Sequence, residues 1–186
     1  MTIPILPSFS IETDLIHLRL EVTQGAPQVR IKDKDVTVFY PPTLDFKTAR
    51  GQQSALFFVT ESLRRYAKRT LVPLLRQLAI DKGVPVQRIT IKDIKTRWGS
   101  CSSLGNVNLS LWLLLFPSKY ILYVMYHELA HFAEMNHSPA FWQRVDALLG
   151  QGQGMAKQLD KEMTQVHRQL VASWGTIYQT EGLPRI

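Results

Sequence analysis

The stretch HELAHFAEMNH, residues 127 to 137, constrains this chain more than any other feature. It holds three of the five histidines, and a glutamate follows the first of them. His127 and His131 stand four apart, so on a helix they share one face with Cβ atoms about 5 to 6 Å apart, close enough to hold one tetrahedral ion. Glu128 lies about 100° around the same helix, which lets its carboxylate reach a water at that ion without ligating the ion itself. The pattern is that of a general base beside a Lewis acid, and zinc is the metal it predicts, one ion per chain.

Two residues compete for the third ligand position. Glu134 continues the helical face, but a rise of about 1.5 Å per residue puts its Cα roughly 7 to 8 Å along the axis from the midpoint of the two histidines. His137 reaches the ion better if the helix stops first. Asn136 tolerates the left-handed conformation that ends helices, and Ser138-Pro139 reads as an N-cap followed by proline in the first turn of a new helix. His127, His131 and His137 therefore form the expected ligand set. Three protein ligands leave a fourth position open, as in catalytic rather than structural zinc sites, and Cys101 is the only cysteine that could close it.

A chain of 186 residues with 45% hydrophobic content is long enough for a continuous core. We expect a single domain over residues 1–186, with 1–45 as a β-rich N-terminal part and 46–186 as the helical and catalytic core. One cysteine excludes an intramolecular disulfide framework. The opening MTIPILPSFSIETDL lacks a basic region before an apolar run, and the apolar stretch 109–117 is too short to span a bilayer as a helix. These features predict a soluble, cytoplasmic protein with no membrane partner; they carry no indication of oligomeric state.

Residues 15–39 alternate apolar and polar side chains, with Gln24-Gly25 and residues 32–35 as turns, and predict a small antiparallel sheet. From 46 to 80 apolar residues recur at helical spacing, and Pro73 predicts a division into two helices. A strand over 86–94, a turn through 99–105 and a second strand over 106–111 follow. Helices are predicted over 118–135, 139–149 and 155–174, the last after a glycine-rich hinge at 150–154. His17 and His167 lie far from the histidine cluster and read as surface residues.

The run TRWGSCSSLGNVNLSLWLLLFPSKYILYVMYHELAHFAEMNHSPAFW resembles the YgjP-like family of zinc metallopeptidases, which is related to the SprT-like and other zincin peptidases. RWGSC, the N-x-N strand, HELAH and NHSPAFW carry the likeness, over roughly residues 97–142. It implies an α+β zincin core: a small antiparallel or mixed sheet, an HExxH active-site helix and additional helices. It also implies His127, His131 and His137 as ligands and Glu128 as catalytic acid and base. The histidine spacing matches the metzincins too, but those have glycine where this chain has Glu134, and Met155 alone does not establish their methionine turn.

Around this centre the residues admit more than one role. Arg97 either stabilises an anionic transition state or substrate group, or braces its turn through a salt bridge. Asn106 and Asn108 alternate along the strand before the active-site helix, and are read either as lying where an extended peptide substrate adds to the sheet or as polar residues on a solvated face. Trp98, Trp112, Phe141 and Trp142 read as packing anchors, and Cys101 as a small buried residue. A formal charge of +7 suggests an anionic partner. Arg64, Arg65, Lys68 and Arg69 cluster on one helix, either as a nucleic-acid contact or as a solvated face. The expected activity is zinc-dependent hydrolysis of a protein or peptide. The alternatives are a metal-dependent nucleotide phosphoanhydride hydrolase, or a DNA-associated module whose peptidase is silent or autoinhibited.

Overall fold

The computed structural model describes residues 5–174, with side chains to residue 170. The N-terminal sheet contains β1 (Ser10–Glu12), β2 (His17–Val22), β3 (Gln28–Lys32) and β4 (Asp35–Tyr40) in the order β1-β2-β4-β3. Ile11, Leu18, Val36 and Val38 turn to the core and are fully buried. The β3–β4 ribbon closes through Asp33, whose φ of 50° is left-handed, a conformation that aspartate tolerates. The sheet is mixed rather than antiparallel: β2 runs parallel to β4, and β3 occupies the far side of β4. Alternation fixes which face a side chain takes but is silent on strand direction, and the same pattern therefore suits both arrangements.

A single helix, α1 (Ala49–Asp81), follows where two were expected. Thr48 caps it by accepting from the Gly51 N–H at 3.1 Å. Pro73 does not divide it, because Val59, Leu63, Tyr66, Leu71, Leu75 and Ala79 form one buried stripe on both sides of the proline. Pro73 is itself exposed, so the carbonyl that loses its N–H partner, at Arg69 on the same exposed face, opens to water rather than to the core. Tertiary packing overrides the local break.

The second sheet contains β5 (Arg88–Lys92), β6 (Gly99–Cys101) and β7 (Asn106–Ser110), ordered β5-β7-β6, with β5 and β7 parallel and β6 antiparallel to β7. Where a turn was expected over 99–105 the chain makes a short strand, and the reversal is confined to 102–105. Gly105 supplies the positive φ of 74° that this reversal needs. A 3-10 turn, Leu111–Leu115, is wholly buried, and Trp112 is held by donation from its indole to Asp93 at 2.7 Å.

The remaining elements are α2 (Ser118–Ala130), α3 (Pro139–Leu149) and α4 (Met155–Trp174). α2 ends about five residues sooner than its apolar pattern indicates. α3 begins at Ser138, which accepts from the Phe141 N–H, and ends at Gly150 with φ 67°. Asp146 of α3 accepts from the N–H groups of Gly154 and Ala156 at 2.7 Å each, which ties the start of α4 to α3.

Trp98, Trp112 and Phe141 are core residues as expected, and Trp142 is half-buried. His17 is half-exposed beside Asp35. His167 departs from the surface reading: it is 1% exposed and packs edge-to-face on Trp98 with ring centroids 5.2 Å apart. The amphipathic turn of α4 carries it inward, a placement that distance along the sequence could not indicate. Among the described residues no helix is long and apolar enough to cross a membrane.

Candidate metal centre and active site

The last turn of α2 supplies His127 and Glu128, both 1% exposed, and His131 stands at its C-cap. Beyond it the chain makes a turn in which the Ala133 and Glu134 N–H groups return to the Ala130 carbonyl at 3.0 and 3.1 Å. That early stop brings His137 back over the helix end. One ring nitrogen from each of His127, His131 and His137 lies within 4.8 Å of the others, and among the described residues no carboxylate or thiol joins the group. His127 Nε2 and His137 Nε2 are 3.0 Å apart.

The surroundings orient the rings. His131 Nδ1 lies 3.0 Å from the Glu134 carbonyl, which can only accept; Nδ1 therefore carries the proton and Nε2 is left as a lone pair. Glu134 thus takes part through its main chain. His127 Nδ1 faces the Tyr123 hydroxyl. Phe141, fully buried in the first turn of α3, touches all three imidazoles, with ring centroids 4.6 to 4.7 Å away, and stacks on His131. Burial and the neighbouring imidazoles push His127 down to about 2 and lower His131, so both rings are neutral and available as ligands. Three imidazoles gathered around one point, one of them exposed to solvent, fit a catalytic zinc ion with one side open.

Glu128 points past the histidines to β6. Burial raises its carboxyl to about 8, opposed by the Arg97 charge. Its Oε2 is buried and meets no hydrogen-bond partner among the described residues. Its Oε1 lies against Gly99, so close that a methyl group on that glycine would put its carbon only 2.4 Å away. An acceptor left without a donor in a dry site is costly unless its task is to receive a proton.

The family model described as the YgjP-like metallopeptidase domain matches residues 16–162. The chain belongs to the YgjP-like family. It is a zinc metallopeptidase, and its substrates are proteins or peptides. The crystal structure of the metallopeptidase zymogen of Pyrococcus abyssi abylysin is 23% identical, over 52% of this chain and 94% of that one, with a TM-score of 0.45. No curated protein matches the chain.

Other residues singled out in this YgjP-like sequence fall at different distances from the centre. Arg97 is exposed just before β6, and its charge is felt by Glu128. Cys101, half-buried on β6, stands outside the ligand cluster; burial and the Glu128 carboxylate push its thiol up to about 11. Asn106 and Asn108 do not border a free edge. They lie on β7, whose two sides are paired with β5 and β6, and Asn108 spends its amide on Ser100 Oγ at 3.0 Å. The outer strand beside α2 is β6. On α1, Arg64 is committed to Glu61 at 2.9 Å and approaches Asp93, whereas Arg65, Lys68 and Arg69 are exposed. Gly99, Tyr123 and Asp160 escaped the reading of the sequence. Tyr123 alone left a signal, standing four residues before His127.

Proposed function

We propose that His127, His131 and His137 hold one zinc ion and that Glu128 is the general base and acid of peptide hydrolysis. The observation that carries this reading is the convergence of three imidazoles beside a buried carboxylate with an unpartnered oxygen. Bound there, zinc supplies Lewis acidity, polarising a substrate carbonyl and making water acidic. Glu128 accepts the proton of the attacking water and returns it to the leaving amine. Its upward shift by burial favours holding that proton between the two transfers, and Arg97 opposes the shift and adds positive charge beside the site. An extended peptide pairs along the outer side of β6, the strand whose Gly99 rests on Glu128. A cytoplasmic setting suits a half-buried, unpaired Cys101.

Glu128→Gln tests the assignment. It keeps size but cannot accept the proton, so zinc content stays at one ion per chain while hydrolysis of a peptide pool falls by about two to four orders of magnitude. Products are scored as new amino termini, and a nucleotide pool run in parallel is scored for phosphate or pyrophosphate. Full peptide turnover by zinc-loaded Glu128→Gln, or release of phosphate alone by the parent protein, overturns the proposal.

A further inference from the structure

We propose that Tyr123 and Asp160 are positioning residues for the metal centre, holding His127 in the tautomer that presents its Nε2 lone pair. The inference rests on His127 being a ligand and adds how its ring is set. Tyr123 stands four residues before His127 on α2, and at this spacing two helical side chains face each other. It is fully buried, and its hydroxyl reaches both His127 Nδ1 at 3.5 Å and Asp160 Oδ1 on α4 at 3.1 Å. The first separation is long for a hydrogen bond, so the number of protons rather than the length decides its direction. A phenol has one proton and an ionised carboxylate only accepts. That proton goes to Asp160, which leaves the phenol a lone pair toward His127. Nδ1 must then be the protonated nitrogen, and Nε2 is free to face the point it shares with His137.

His131 reaches the same tautomer by a local device, the Glu134 carbonyl three residues on. His127 uses a side-chain relay that crosses to another helix. The relay is itself anchored: Asp146 of α3, the helix that carries Phe141, caps the start of α4 and so fixes where Asp160 stands. Without the phenol or the carboxylate, neutral His127 can put its proton on Nε2, where it blocks ligation.

The test uses the full chain with Tyr123→Phe, Asp160→Asn and, as a control, Glu162→Gln, which alters a surface contact of α4 with Lys119. Zinc affinity is measured by competition with a chelator, and the His127 tautomer by imidazole nitrogen NMR of the zinc-free protein. The wild type and Glu162→Gln should show the Nδ1–H tautomer. Tyr123→Phe and Asp160→Asn should populate Nε2–H and bind zinc about tenfold to a hundredfold more weakly. Asp160→Asn barely changes volume, yet its amide can donate to the phenol and turn the relay round, an effect that lost packing would not produce; it decides the matter should Tyr123→Phe fail to fold. Wild-type tautomer with zinc affinity within about twofold in the folded variants overturns the relay. If His127→Ala binds zinc as tightly as wild type, the ligand assignment fails instead.

Discussion

Gly99→Ala adds one methyl group to β6 and leaves the chemistry of every titratable group intact. Gly99 has no left-handed backbone to protect, so the effect is one of contact alone. The new Cβ would lie 2.4 Å from Glu128 Oε1 and 2.7 Å from its Cγ and Cδ, whereas real Cβ contacts essentially never fall below 3.0 Å. The carboxylate must therefore retreat by about 0.6 Å to reach even that floor. At 1% exposure it has no solvent to retreat into. Catalytic groups work within about 0.5 Å of their productive position, and an error of about 1 Å costs about a hundredfold. We expect kcat on a peptide substrate to fall about ten- to a hundredfold, or about 1.4 to 2.7 kcal/mol of barrier. Overpacking should lower stability by about 1 to 3 kcal/mol. Zinc content should hold, because the nearest atoms to the new methyl belong to Glu128 and not to the histidines. Steady-state kinetics alongside elemental analysis and a thermal melt separates these effects. An unchanged kcat in zinc-loaded Gly99→Ala would refute the claim that this close approach positions the base.

Other outcomes follow from the same geometry. His137→Ala should lose zinc on dialysis far more readily than Glu134→Ala, whose main-chain carbonyl survives the substitution; the reverse order by elemental analysis would displace His137 from the ligand set. In metal-free Glu128→Gln, which removes a carboxyl that burial raises to about 8 and that would pull the other way, burial lowers His127, His131 and His167 below the value of an unfolded histidine. The unfolded chain therefore takes up more protons, and stability present above about pH 6.5 should be lost as pH falls through that value. Urea unfolding that gives equal stability at pH 7.5 and 5.5 would contradict this. If α1 contacts nucleic acid, neutralising Arg65, Lys68 and Arg69 should weaken binding and flatten its salt dependence, while Arg64, already paired with Glu61, should matter less. Salt-independent binding, or none at low salt, would leave these residues as a solvated face.

The parts of the site that were legible in sequence are those governed by local geometry. His127, Glu128 and His131 are set by helical spacing, and His137 by the stop that Asn136, Ser138 and Pro139 announce. Long-range contacts were not legible. Asp160 reaches Tyr123 across 37 residues, and Gly99 meets Glu128 because β6 packs on α2. The buried stripe on either side of Pro73 outweighs a residue that breaks isolated helices. Residues 99–105 looked like a turn because three residues are too few to show alternation, and without β6 the strand bearing Asn106 and Asn108 passed for an edge. The parallel pairing of β2 with β4 was hidden for the reason that period-two patterning has no sense of direction.

All three proposed ligands come from eleven consecutive residues, which bears on how metal and folding are coupled. Closing so short a loop costs little entropy, so an unfolded chain keeps a high effective concentration of its own imidazoles. Zinc that binds this segment before the fold is complete stabilises the native state by less than its native affinity implies, since only differential binding counts. What the folded protein alone adds is the non-local part: Phe141 against the rings and the path from His127 through Tyr123 to Asp160. The yield of folded protein on adding metal should thus track the docking of α3 and α4 more closely than the presence of the histidines.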